Sequence, residues 1–438
     1  MKETFCKLLA LVLIVLLLLP AMAFAMSMRD ESVQTTADIW DGSVADGFAG
    51  GTGTEDDPYL ITNGAELAYL CYTVNVERNR YDGEFIKLAN NIYLNDTTNW
   101  QEWGSTDADN NIIAPANEWT AIGIEDYSDY PNTWPSMIRA TFDGAGHFVS
   151  GIYINNELNN QGLFGYNPCC TFKNLGVIDS YIAGRNEVGA IAGNIIAAPN
   201  PAYIYNCYNY GTVRGWNDVG GIAGAHNSIV DSCFNMGDIT GNSCVGGIAG
   251  SGKDIINCFN TGDVRLTGVT SGDPDMGGIV SYLWGTAENC YNIGTIQAEN
   301  RWDGGIVGFN DGTVVNCYYL DTCGGLNEEG TSLTGEQMQN AASFVGFDFN
   351  AVWTMDGDAD YLYPELINTP LWEEPAADIM MGDVNFSGEV LVDDALLVLR
   401  YSMSLTEFDD DQLEVADING DGIVNSMDAL LILRMVIA

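Results

Sequence analysis

Ile204-Tyr205-Asn206-Cys207-Tyr208-Asn209, then Gly211-Thr212-Val213, then Val219-Gly220-Gly221-Ile222-Ala223-Gly224: this order of residues decides the fold, because it comes back. It returns from Asp231-Ser232-Cys233-Phe234-Asn235 to Val245-Gly246-Gly247-Ile248-Ala249-Gly250. It returns again from Asn257-Cys258-Phe259-Asn260 to Gly277-Gly278-Ile279-Val280, and from Asn289-Cys290-Tyr291-Asn292 to Gly304-Gly305-Ile306-Val307-Gly308. A half-unit, Asn316-Cys317-Tyr318-Tyr319, closes the series, and a looser copy runs from Asn174-Leu175 to Val188-Gly189-Ala190-Ile191-Ala192-Gly193. The Cys positions are spaced by 26, 25, 32 and 27 residues. Each unit holds two or three short runs rich in Ile, Val, Tyr and Phe, separated by Gly, Asn and Asp, which is strand and turn chemistry. No unit has room for a helix of ordinary length, and one unit cannot bury its apolar face alone, so it stacks on its neighbours. The expected fold is mainly β, a right-handed parallel β-helix with one repeat per rung. Equivalent residues then line up about 4.8 Å apart in a Cys ladder, an Asn ladder and an aromatic ladder. The Gly-Gly pairs are expected at sharp bends, where only Gly takes positive φ without steric cost.

These units resemble the Gly-rich GLUG-type repeats of bacterial surface and secreted proteins. The preceding region, with Gly51-Thr52-Gly53-Thr54-Glu55-Asp56-Asp57-Pro58-Tyr59 and Thr141-Phe142-Asp143-Gly144-Ala145-Gly146-His147, is similar to what often precedes such repeats. The resemblance covers roughly residues 40–365 and implies a fold without specifying an activity. An open β-helix exposes strand edges at both ends and needs caps. Residues 65–78, apolar at near-helical spacing, are the candidate for the N-terminal end. Thr334-Gly335-Glu336-Gln337-Met338, a helix start leading into Phe344-Val345-Gly346-Phe347, is the candidate for the other.

Residues 1–25 are set apart: Lys2 and Lys7, a nearly unbroken aliphatic run from Leu8 to Leu19, Pro20, then Ala23-Phe24-Ala25. That is the layout of a cleaved secretory signal peptide. No second apolar run of that length occurs, so no membrane span is expected in the mature chain. Removing two Lys and one Glu leaves 15 − 2 = 13 basic and 60 − 1 = 59 acidic residues, a formal charge of −46. Such a chain repels nucleic acid and anionic lipid and attracts divalent cations. With 47% of its residues apolar it is nonetheless not a disordered acidic tail. Ten Cys survive signal cleavage, which in a secreted chain normally reads as a disulfide framework. Five of them recur at one place in the repeat and read instead as small buried hydrophobes, favouring a source that lives without oxygen.

The expected organisation is 1–25 signal peptide, 26–159 N-terminal cap and first rungs, 160–323 repeat β-helix, 324–368 C-terminal cap, 369–378 linker and 379–438 a small all-α module. The linker carries two Pro within Thr369-Pro370-Leu371-Trp372-Glu373-Glu374-Pro375, which suits a stiff spacer.

Beyond the linker the chemistry becomes specific. Asp417-Ile418-Asn419-Gly420-Asp421-Gly422-Ile423-Val424-Asn425-Ser426-Met427-Asp428 places oxygen-bearing side chains at loop positions one, three, five, nine and twelve. Gly422 falls at six, where the loop turns, and Ile423 offers a backbone carbonyl at seven. Calcium, a hard cation taking six to eight oxygens, needs such a ring. A related loop lies 34 residues earlier, from Asp383 through Asn385, Ser387 and Glu389 to Asp394, and each loop runs straight into a helix. Ser387 replaces a carboxylate and Leu391 removes a ligand, so the first site should bind more weakly unless water fills the gap.

This duplicated loop-helix module, joined by residues 406–416, closely resembles a type I dockerin over residues 381–438. The resemblance implies calcium as cofactor and docking to a cohesin module of a scaffold protein, in a cellulosome-like complex that degrades plant polysaccharides. In that family the cohesin-facing positions precede the last calcium ligand and lie near the end of each helix. They fall on Val392, Asp393, Leu399 and Arg400 in the first copy, and on Ser426, Met427, Leu433 and Arg434 in the second. The alternative for the Leu residues is ordinary helix core.

Catalytic machinery is not visible in the repeats. Their Asp and Glu residues stand mostly beside Gly or Asn, which marks turns, and basic residues there are few. His147 and His226 have no partner motif; no Gly-x-Ser-x-Gly elbow, His-Glu-x-x-His or phosphate loop occurs. Trp216, Trp284 and Trp302 fall between the repeat cores and either line a face for sugar stacking or pack over rung edges. The expected function is a secreted, cell-surface component of such a complex whose β-helix binds carbohydrate or a surface. The alternative is a carbohydrate-active enzyme, a polysaccharide lyase or glycoside hydrolase on the β-helix.

Overall fold

The structure is a computed structural model. It describes residues 39–367 apart from 109, 126–134, 198–200, 268–274, 298–302, 328 and 356–361. It also describes 381–437 apart from 383, 386–389, 404, 407, 409 and 419–422, the side chains of 393, 410, 411, 414 and 437 excepted. The signal peptide and the linker lie outside the described residues. The chain divides into two compact units, one reaching Pro370 and one from Leu371 on.

The first unit is a parallel β-solenoid of about eight turns. Short strands of one rung pair in parallel with those of the next, so apolar side chains stack into columns. One inward column runs Ile86–Phe142–Phe172–Ile204–Val230–Ile255–Ala287–Val314. A second runs Ile154–Ile182–Val213–Ile239–Val264, a third Val188–Val219–Val245–Met276, and a fourth Ala192–Ala223–Ala249–Val280–Val307. Every one of these residues except the rung-edge Val314 is buried in a single core.

The expected Cys ladder is present. Cys207, Cys233, Cys258, Cys290 and Cys317 are free and buried. The backbone N–H groups of Cys207, Cys233 and Cys258 each donate to the thiol one rung on, at 3.4 Å. The residue just before each Cys, Asn206 to Asn316, has φ between 50° and 54°, which breaks the parallel ladder and leaves that N–H to the sulfur. Burial pushes the Cys207, Cys258 and Cys317 thiols well above their ordinary range, so they stay protonated. The Asn ladder is hydrogen-bonded throughout: Asn209, Asn235 and Asn260 each pass Nδ2 to the next Oδ1 at 2.8 Å and to a Gly carbonyl of their own turn.

The Gly-Gly expectation is corrected. Gly220, Gly221 and their counterparts do not take positive φ; they are required by close approach. A Cβ on Gly221 would meet Asn235 Cγ and the Gly247 carbonyl oxygen at 2.3 Å, and one on Gly247 would meet the Gly278 oxygen at 2.1 Å. The left-handed turns fall on two non-glycine columns, Asn174–Asn206–Ser232–Asn257–Asn289–Asn316 and Asn160–Glu187–Asp218–Cys244. Asn and Asp tolerate that region best, because their short polar side chains bond locally.

Helix α1 (Gly64–Asn75) is N-capped by Asn63, whose side chain accepts the Glu66 N–H, and its buried Leu67, Leu70 and Val74 join the solenoid core. At the other end a helical turn, α2 (Gly335–Met338), begins at Thr334, where a helix start is expected, with a capping box between Thr334 and Gln337. Beyond it the chain lies along a flank. Trp353 packs on Phe259 and Tyr291, Phe344 packs on Tyr291 and Tyr318, and the Tyr291 hydroxyl donates to the Pro364 carbonyl at 2.6 Å. It thereby covers the outward aromatic ladder, whose rings Phe234, Phe259 and Tyr291 stack nearly parallel at 4.8 and 5.0 Å.

His226 lies inside the solenoid at the position of Ile195 and Leu283 in other rungs. It is fully buried, its Nε2 has no partner, and Gly252 beneath it leaves room for the ring. Burial lowers its pKa from 6.5 to about 4. Between these values the unfolded chain binds a proton that the folded chain refuses, so stability is full above pH 6.5 and falls as the pH drops toward 4. The expected loss is on the order of 3 kcal/mol. His226→Leu should remove that slope in chemical unfolding measured from pH 7 to pH 4; an unchanged slope would refute it.

Candidate functional site

The second unit is built on a small core of Val384, Ala395, Val398, Val415, Ala416, Ala429 and Ile432. Three helices supply it: α3 (Val392–Ser402), α4 (Asp410–Ala416) and α5 (Ser426–Ile437). The 34-residue duplication is visible in the packing. Asp394, Ala395 and Val398 are buried on α3, and Asp428, Ala429 and Ile432 are buried at the matching places on α5.

Each expected loop ends on one of those buried carboxylates. Asp394 Oδ1 accepts the N–H of Val384 at 2.9 Å and of Asn385 at 3.1 Å, and its Oδ2 accepts the N–H of Leu391 at 2.8 Å. It thereby ties the start of the first loop to its end. Asp428 Oδ2 accepts the N–H of Asn425 at 2.9 Å, and the Asn425 side chain bridges the Ile423 carbonyl and the Met427 N–H, both at 2.8 Å. Both buried carboxylates are held by backbone N–H groups of their loops. The oxygen donors of these loops are of the kind that suits a hard cation such as calcium. Of the expected ligands, Asn385, Asp394, Asp417, Ile423, Asn425 and Asp428 are described; Asp383, Ser387, Glu389, Asn419 and Asp421 lie outside the described residues. Among the described residues no three His, Cys, Asp or Glu side chains gather at one metal position.

Of the expected partner-facing residues, Val392, Arg400, Ser426, Met427 and Arg434 are exposed. The side chain of Asp393 is outside the described set. Leu399 and Leu433 lean on the module's core, as their alternative reading held. The sequence reading missed Leu396 and Leu430, which are 53% and 44% exposed at equivalent positions of α3 and α5. The signal was there: each lies one residue after a buried Ala, on the outer side of the helix.

On the solenoid, Trp216 and Trp284 do not share a face. Trp216 is exposed at the corner between Thr212–Arg214 and Asn217–Gly220, whereas Trp284 follows Val280–Leu283, a strand of another sheet. Trp302 lies outside the described residues. Trp284 instead meets Tyr282, and Tyr282 meets Phe309, with ring centroids 5.4 and 5.5 Å apart.

Comparison with known proteins gives three findings. Residues 381–437 match the family model of the dockerin type I domain. A stretch of 213 residues, 45% of this chain, is 28% identical to halomucin of Haloquadratum walsbyi. The chain spans only 2% of that relative's length. The crystal structure of a candidate immunoglobulin A1 protease from Bacteroides ovatus superposes with a TM-score of 0.53 at 20% identity. That match covers 73% of this chain and 95% of the other, and it speaks for the fold alone. Among the described residues no helix is long and apolar enough to cross a membrane.

Proposed function

We propose that the protein is a secreted component of a cellulosome-like, polysaccharide-degrading assembly. Its C-terminal module holds it to a scaffold cohesin through calcium, and its β-solenoid contacts carbohydrate or a glycan-bearing surface. The observation that carries the reading is the pair of fully buried, loop-closing carboxylates, Asp394 and Asp428, within a segment that matches the type I dockerin family. The docking face we assign is the exposed row Val392, Leu396 and Arg400 on α3, with Met427, Leu430 and Arg434 on α5. Exposed apolar residues flanked by Arg have the character of interface anchors.

Immobilised type I cohesins should retain the full chain in calcium. The double substitution Leu396→Asp and Leu430→Asp should weaken capture at least a hundredfold while leaving far-UV circular dichroism unchanged. Retention by no cohesin of a broad panel would count against the assembly role, and undiminished capture of the double variant would count against this face.

A further inference from the structure

Two outward columns run side by side along the solenoid. One is the left-handed column Asn160, Glu187, Asp218 and Cys244. The other is Asn194, Ala225, Ser251, Tyr282 and Phe309, in register from rung to rung. They adjoin closely: a Cβ on Gly224, next to Ala225, would meet the Glu187 backbone at 2.3 Å, and one on Gly250, next to Ser251, would meet the Asp218 backbone at 2.4 Å. Glu187 and Asp218 stand at matching places in adjacent rungs, since Asn186 pairs with Asn217 and Val188 with Val219. Their backbones are thus about 4.8 Å apart.

Glutamate is an unusual choice for a left-handed position, where glycine would be free of strain. The surroundings sharpen the oddity. Burial above all, and then the charges of Glu125 and Asp218, push the Glu187 pKa up to about 7. Burial also raises Asp218, which Cys244 adjoins in turn. Near neutral pH the pair therefore offers both a proton donor and acceptors. Beside it Asn160 is 3% exposed; its Nδ2 donates to Glu125 Oε2 at 2.9 Å, and its Oδ1 has no hydrogen-bond partner. Two rungs beyond Asp218 lie Tyr282 and Trp284, and three rungs beyond lies Phe309; together they form the aromatic group described above, with the Tyr282 hydroxyl donating to Asp311 at 3.0 Å.

We propose that this strip, from Asn160, Glu187 and Asp218 to Tyr282, Trp284 and Phe309, is a binding track for a neutral polysaccharide chain lying along the solenoid axis. Sugar rings lie on the aromatic group, and hydroxyls bond the two carboxyl groups. Exposed aromatic rings beside carboxyl groups suit a ligand with apolar ring faces and hydroxyl edges. A formal charge of −45 disfavours polyanionic chains. The inference rests on the glycan-binding reading above and centres that site on Tyr282 and Trp284 rather than on Trp216.

The test is calorimetric titration of the full chain at pH 7 with cellohexaose and xylohexaose, and with oligogalacturonate as an anionic control. A neutral probe should bind. Tyr282→Ala and Asp218→Asn should each weaken it at least tenfold, while Trp216→Ala should leave it unchanged. Glu187→Gln, which keeps the side-chain shape, should also weaken binding without altering the circular dichroism spectrum. Neutral binding that survives the three strip variants but is lost in Trp216→Ala would overturn the track and leave the glycan reading standing. Binding to none of the probes would overturn both, and equal binding of oligogalacturonate would overturn the ligand class.

Discussion

Asn260→Leu should destabilise the solenoid by about 3 kcal/mol or more, although leucine has nearly the shape of asparagine. The Asn260 amide accepts from Asn235 and donates to Asn292 and to the Gly262 carbonyl, all at 2.8 Å and all buried. Leucine fills the space and leaves those three groups each short of a partner, at a cost of about 1–3 kcal/mol apiece. The loss should be local first, because each rung touches only its neighbours. Hydrogen exchange should therefore quicken around residues 233–294 before the distant rungs respond. Asp238→Asn is the control: it removes only an exposed ion pair with Arg265, worth under about 1 kcal/mol. Equal effects of the two changes in denaturant titration would mean that the ladder contributes no more than a surface contact.

Asp428→Ala should abolish calcium-dependent cohesin capture, by a hundredfold or more, and unfold the start of α5. Asp428 is fully buried at the junction of loop and helix, and its removal takes away both an expected calcium ligand and the acceptor of the Asn425 N–H. Asp394→Ala should weaken capture less in saturating calcium, because the first loop already lacks a side-chain ligand at Leu391. Equal losses from the two substitutions, measured on immobilised cohesin, would contradict that ranking.

The sequence reveals most where a letter repeats. Cys207 and its copies and the Asn209 column each show one residue type, and the Tyr208 column one aromatic class, at a recurring interval, and stacking them requires only that one rung sit on the next. The duplicated loop-helix module is legible for the same reason, and its segment matches the dockerin type I family model. The Gly-Gly pairs repeat too, yet their reason was misjudged. Glycine answers equally to positive φ and to a close neighbour, and the neighbour, the Asn235 amide above Gly221, belongs to a different part of the rung. The strip through Asn160, Glu187, Asp218 and Cys244 is illegible by letter, because its members share a backbone conformation and no side chain. Leu396 and Leu430 do not stand out by letter, because a helical leucine reads as core until the packing shows which side of the helix is filled.

The most direct test of the account is calorimetric titration of calcium into the metal-free full chain. Two binding events are expected, the tighter lost in Asp428→Ala and the weaker lost in Asp394→Ala, together with a gain of helix on the first addition. Absence of any calcium uptake would contradict the claim that residues 381–437 form a calcium-dependent docking module.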